Sequence, residues 1–219
     1  MIAVNGPLRR EGGRRAAGAR ARALALLACI ALAGCGAKTP ALPALGPQDV
    51  VLAFGDSLTF GTGARADQSY PAVLAGLIGR KVVAAGVPGE VSANGLARLP
   101  GALEAAAPRL LVLCHGGNDL LRRLDEAELA ANLRAMIGLA RSRGVAVVLV
   151  AVPKPGLFPD AHPVYAAVAD ELGVPLERDV LKAILTDNEL KSDQVHPNAR
   201  GYARLAEAVA GLLRKAKAL

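Results

Sequence analysis

The chain has 219 residues, 53% of them hydrophobic, 21% charged and 3% aromatic, with a net charge of +7. That is globular-protein composition, which excludes long-range disorder and a collagen-like repeat. Six Arg against one Glu in residues 1–34 supply +5 of the charge; the near-neutral body has no basic stripe and too few aromatics for a stacking platform, which argues against nucleic acid as the main partner.

The first element in chain order reads as an export signal over residues 1–34. Six Arg between Arg9 and Arg22 precede a twelve-residue apolar run, Ala23–Gly34. At about 1.5 Å per residue such a run is too short to cross a ~30 Å hydrocarbon core and suits a signal peptide instead. It ends in Leu32-Ala33-Gly34-Cys35, which resembles the lipobox of bacterial lipoproteins and implies cleavage before Cys35 and lipidation of it. Arg14-Arg15 is followed by Ala-Ala-Gly and not by a bulky apolar pair, so a twin-arginine signal is not adopted. On that resemblance Cys29 is expected to leave with the signal and Cys35 to carry lipid. Cys114 then stands alone, no intramolecular disulfide can form, and stability must come from a core. Residues 35–48, with Pro40, Pro43 and Pro47, read as the lipidated Cys and a tether to a domain over 49–219. Gly36 after the Cys resembles lipoproteins sorted to the outer membrane, and the resemblance implies a domain on the periplasmic side of that membrane.

The domain alternates strand and helix. Apolar runs at Val50–Phe54, Val82–Ala85, Leu110–Cys114 and Val145–Ala151, with a weaker one near Val174–Leu176, are continuous and not alternating, as expected of parallel strands covered on both faces. Helix-period stripes lie between them: Tyr70, Val73, Leu74, Leu77 and Ile78; Leu129, Leu133, Met136, Ile137 and Ala140; Tyr202, Leu205, Ala206, Val209, Leu212 and Leu213. Residues 92–107 are expected as two pieces divided at Pro100-Gly101. The order implies an α/β fold: a flavodoxin-like three-layer α/β/α sandwich with a parallel, about five-stranded sheet, its ligands outside the carboxyl ends of the strands.

Four segments fall on that edge. Gly55-Asp56-Ser57 follows the first strand, where Ser57 can present its hydroxyl or serve as a turn or cap residue. It is not a G-x-S-x-G elbow, since Thr59 stands where the second glycine would be, and no phosphate-binding G-x-x-x-x-G-K-[ST] loop occurs. Val87-Pro88-Gly89-Glu90 follows the second strand as a turn whose Gly89 N–H can serve a ligand. Gly116-Gly117-Asn118-Asp119 follows the third, where Asn118 can stabilise an oxyanion or cap a helix. Asp193-Gln194-Val195-His196-Pro197-Asn198 precedes the last helix. Its spacing of three lets Asp193 orient His196 as a general base, or leaves Asp193 as a cap and His196 at the surface. His115 and His162 lack an Asp at this spacing, and the three His show no metal-ligand pattern.

Taken together, in order, these segments resemble blocks I, II, III and V of the SGNH (GDSL) hydrolases. Gly95-Leu96-Ala97-Arg98-Leu99-Pro100 adds similarity to the thioesterase I/lysophospholipase L1 and arylesterase-like subfamily, and the match spans Val50 to about Leu213. The resemblance implies Ser57 as nucleophile, His196 as general base and acid, and Asp193 as its orienting partner. It also implies an oxyanion hole of the Ser57 and Gly89 N–H groups and the Asn118 side chain, with no metal or cofactor. The implied partner is a small-molecule acyl ester of short or medium chain, with thioesters and lysophospholipids also in range, and a monomer is the default. Leu120, Leu121, Leu157 and Phe158 are expected to wall the acyl pocket or to be ordinary core. Ala84-Ala85 and Glu90 stand where relatives often carry Asn and Asp; for His115 a packing or hydrogen-bonding role is expected. Competing readings are an envelope carbohydrate O-acetylesterase or acetyltransferase, a non-catalytic binding lipoprotein, and a flavodoxin-like cofactor binder suggested by Thr59–Gly63.

Overall fold

The structure is a computed structural model that describes residues 1–3, 6, 39–154, 156 and 160–219. The expected cleavage site with Cys35, and Leu157 and Phe158, lie outside the described residues. The chain divides into two units, Met1–Lys38 and Thr39–Leu219, and the second carries every regular element among the described residues. No helix among them is long and apolar enough to cross a membrane.

Five strands, β1 Val51–Gly55, β2 Val82–Gly86, β3 Leu110–Cys114, β4 Ala146–Val150 and β5 Leu176–Glu177, form one sheet in the order β2-β1-β3-β4-β5. Every neighbouring pair is parallel. All residues of β1 and β3 are buried, which explains why these strands read as unbroken apolar runs: helices cover both faces. The helices are α1 Ser57–Phe60, α2 Tyr70–Ile78, α3 Ser92–Ala106, α4 Gly117–Leu121, α5 Glu126–Ser142, α6 Pro163–Leu172, α7 Val180–Thr186 and α8 Ala199–Lys215. In one layer α2 packs on α8, and in another α3 packs on α5 and α5 on α6, giving the α/β/α sandwich.

Two expectations need correction. α3 runs unbroken through Pro100. Proline costs an interior helix about 3 kcal/mol, but Ser92, Gly95, Leu99 and Leu103 form one buried stripe across it, and burying a leucine returns about 1.5–3 kcal/mol each. The stripe therefore outweighs the break. Second, residues of the expected tether are fixed to the body. The Leu42 and Leu45 N–H groups donate to the Ala216 and Ala218 carbonyls at 2.8 and 2.9 Å, and Leu45 is buried.

Parallel pairing aligns the strand ends. Gly55 stands opposite Gly86 on one side and Cys114 on the other, so the loops after β1, β2 and β3 leave one edge side by side. The chain passes from β1 to β2 on one flank and then to β3 on the other, which makes the β1/β3 junction the switch point where an open α/β sheet leaves a crevice.

Candidate active site

Ser57 is the first residue of α1, directly past the end of β1. The cap of that helix is Asp56, whose Oδ1 accepts from the Leu58 N–H at 3.1 Å, so the Ser57 hydroxyl is left to face the crevice. His196 Nε2 lies 3.0 Å from Ser57 Oγ, and His196 Nδ1 lies 2.7 Å from Asp193 Oδ2. With Nδ1–H donating to the carboxylate, Nε2 is the acceptor for the Ser57 hydroxyl.

The loop holding His196 is closed by its own backbone. Asp193 Oδ1 accepts from the Val195 and His196 N–H groups at 2.8 and 2.9 Å, and the Ser192 N–H donates to the His196 carbonyl at 2.9 Å. The cap of α8 is Asn198, which accepts from Arg200 and Gly201; Asp193 is thereby left for the imidazole. Burial pushes the Asp193 carboxyl up, but the Val195 N–H and the His196 ring and N–H outweigh it and hold the group below its ordinary value.

Gly89 has φ +77, the left-handed region a glycine enters without strain, and Arg122 Nη2 holds its carbonyl at 2.9 Å. Gly116, at φ +103, is likewise in the region that strains any other residue, and a Cβ there would come within 2.6 Å of Leu129 Cδ1, which would have to shift. Asn118 Nδ2 donates to the Glu90 carbonyl at 3.0 Å and stands 3.4 Å from Asp56 Oδ2. Among the described residues no acceptor takes the N–H of Ser57 or of Gly89. Asp119 accepts from the Ser92 N–H and hydroxyl at 2.8 and 2.6 Å, bracing α4 against α3. Asp56 is enclosed, and burial pushes its carboxyl above its ordinary value against the pull of His115 and the Leu58 and Gly117 N–H groups. Burial likewise raises the Cys114 thiol far above its usual range, so this cysteine is an inert core residue.

A cavity of about 910 Å³ opens over these groups and is lined by Ser57, Gly89, Asn118 and His196. Its apolar wall includes Leu58, Leu121, Val152, Leu185 and Val195, and Lys154 and Lys191 stand on its lining. Leu121 lies on this wall. Leu120 takes the other of the two places expected for it, the core, because neighbouring helical residues point about 100° apart. Leu185, Lys191 and Val195 were not expected at the wall. No local signal marks them, since the approach of α7 and the His196 loop to the sheet edge brings them there. Among the described residues no group of three His, Cys, Asp or Glu is placed to hold a metal.

The arrangement can activate a serine hydroxyl, hold an acyl carbonyl over it and bind the resulting oxyanion. Residues 53–204 match the GDSL-like lipase/acylhydrolase family. The chain is 32% identical to the esterase TesA of Pseudomonas aeruginosa over 199 residues, 86% of this chain and 96% of that protein. It is 30% identical to thioesterase 1/protease 1/lysophospholipase L1 of Escherichia coli over 158 residues, 68% of this chain and 76% of that protein. The crystal structure of TesA superposes with a TM-score of 0.70 at 31% identity, covering 76% of this chain and 99% of that one.

Proposed function

The chain belongs to the GDSL-like lipase/acylhydrolase family of ester hydrolases, and on that footing we propose that it hydrolyses carboxylic esters of short to medium acyl chain through Ser57, His196, Asp193 and an acyl-enzyme. The observation that carries this reading is the continuous line of hydrogen bonds from Asp193 Oδ2 through the imidazole to Ser57 Oγ, at 2.7 and 3.0 Å.

In the first half-reaction His196 Nε2 takes the hydroxyl proton while Ser57 Oγ bonds to the acyl carbon. The carbonyl oxygen gains charge and is met by the Ser57 and Gly89 N–H groups and the Asn118 amide. The bond to the leaving oxygen or sulfur then breaks, and His196 returns the proton to it. In the second half water adds to the acyl carbon while His196 takes its proton; the bond from that carbon to Ser57 Oγ then breaks, His196 returns the proton to Oγ, and the acid departs. Asp193 keeps the imidazole in the tautomer that faces Ser57 throughout. The apolar wall of Leu58, Leu121, Val152 and Leu185 favours a hydrocarbon acyl chain over an acetyl group on a glycan, and a thioester fits the same chemistry.

A fluorophosphonate probe tests this directly. The proposal expects covalent label on the peptide containing Ser57, no label in Ser57→Ala, and labelling slowed by His196→Ala. A folded protein that takes no label contradicts it. The same reading holds the domain on a bacterial membrane through lipid at Cys35, supported by the Arg-rich leader, the twelve-residue apolar run and the Leu-Ala-Gly-Cys site. Cys35→Ser then moves the protein from the membrane fraction to the soluble one, and unchanged fractionation contradicts the anchor.

A further inference from the structure

Behind the wall that carries Gly89 and Asn118 lies a set of polar side chains that no step of the proposed reaction uses. His115 is fully enclosed, at 0% exposure, and Glu90 nearly so at 9%. The Gly116 N–H donates to His115 Nδ1 at 2.9 Å, which leaves the ring proton on Nε2, 3.1 Å from Glu90 Oε2. Arg98 grips the same carboxylate with two prongs, Nε at 2.9 Å from Oε1 and Nη2 at 2.7 Å from Oε2. Such a fork is stronger and more directional than a single bond. The guanidinium lies 4.2 Å over the Phe54 ring and Nη2 reaches the Ala85 carbonyl at 3.2 Å; the Tyr165 hydroxyl donates to the His115 carbonyl at 2.8 Å.

The local sequence makes room for this cluster. A Cβ on Gly95 would stand 2.3 Å from His115 Nε2, so only glycine lets the ring reach across α3. Arg98 lies three residues further on, where a helix brings its side chain to the same face. Enclosing a carboxylate and an imidazole is costly, and apolar side chains of similar volume fill space at lower cost. What the cluster secures is the Glu90 backbone. The Glu90 carbonyl accepts one N–H of Asn118 at 3.0 Å, while the other contact of that amide, to Asp56 Oδ2, is long at 3.4 Å. The second N–H is thus the one free to turn to a reacting acyl oxygen.

We propose that His115, with Arg98, is a positioning residue for the oxyanion hole: by fixing Glu90 it holds the carbonyl that aims the Asn118 amide. The inference rests on the reading of Ser57 and Asn118 as the reaction centre. It matters to rate because an oxyanion donor must stand about 2.7–3.1 Å from the developing charge, and a misplacement of about 1 Å can cost on the order of 10²-fold.

The test is a double-mutant cycle on the whole protein with p-nitrophenyl butyrate. His115→Leu is expected to lower kcat about 10- to 100-fold with KM within about twofold. His115→Gln, whose Nε2–H can replace the lost donor to Glu90, recovers most of the rate. In an Asn118→Ala background His115→Leu costs less than about threefold, because the group it acts through is gone. An unchanged kcat, a change in KM alone, or the same fold-loss in both backgrounds overturns the proposal. Should His115→Leu fail to fold, Arg98→Lys runs the same cycle: Arg98 is partly exposed, and lysine keeps the charge but not the fork. Ser57→Ala beside these variants separates the two claims. If it retains turnover, the reading of the centre has failed; if it is inactive while the cycle is additive, only the positioning role has.

Discussion

A Cβ placed on Gly55 would lie 1.9 Å from the carbonyl oxygen of Cys114 and 2.4 Å from Thr59 Oγ1. The turn that carries Ser57 and the turn that carries Asn118 thus leave two strand ends in direct backbone contact. Gly55→Ala must push one of them away. Overpacking a tight site costs about 1–3 kcal/mol, and here the obstacle is backbone, so the expected loss is at the upper end. Thermal unfolding monitored by circular dichroism should show a lower Tm, with kcat reduced in the fraction that remains folded. Wild-type values of both would show that the contact is not as tight as the structure has it.

Only a neutral imidazole at His196 can accept the Ser57 proton, and the Asp193 carboxylate keeps it in the tautomer that does so. Burial works against the Asp193 charge, but the Val195 N–H and His196 outweigh it and hold the carboxyl below its ordinary value, so it faces the imidazole as a carboxylate. Asp193→Asn keeps the shape of the loop but removes the charge that sets the tautomer; kcat should fall by on the order of 10²–10⁴. A wild-type kcat in Asp193→Asn would remove Asp193 from the mechanism.

Glu90 makes a second, separate prediction for stability. Burial works against its charge, but Arg98 and His115 outweigh burial and bring the carboxyl below its ordinary value of 4.5. A carboxyl depressed by folding contributes stability that is present above the unfolded value and is lost as pH falls through the folded one. Wild-type Tm should therefore drop on going from about pH 7 to below 4.5, and the drop should be smaller in Glu90→Gln, which has no charge to lose. Equal drops in the two proteins would mean that the Glu90 carboxylate is not held by its partners.

Much of this was legible from residue pattern. Continuous apolar runs marked the strands, because a sheet covered on both faces leaves no polar alternation to read. The stripes of α2, α5 and α8 were equally plain. α6 and α7 had not been expected, although Pro163 opens α6 behind a His162 cap and Val164, Tyr165, Val168 and Ala169 form its buried face. The division at Pro100 was expected on local grounds and gave way to packing. At the site, Ser57, Asn118, Asp193 and His196 stood out because each lies in a short motif. The link from His115 to Glu90 joins residues 25 apart and that from Arg98 to Glu90 joins residues 8 apart. No local pattern carries such pairs; the parallel register of β1, β2 and β3 creates them.

Leu121 lies on the wall of the cavity and is exposed, so a larger side chain can be placed there without disturbing the core. Leu121→Trp should make kcat/KM fall more steeply with acyl length than in the wild type and move the optimum to shorter chains. An unchanged chain-length profile would mean that the acyl group lies elsewhere in the cavity.

The most direct measurement is hydrolysis of p-nitrophenyl esters from acetyl to palmitoyl, run beside Ser57→Ala. The account predicts turnover with an optimum at short or medium chain, and a loss of at least about 10³-fold in the variant. Turnover that survives Ser57→Ala, or a folded protein that hydrolyses no chain length, would contradict it.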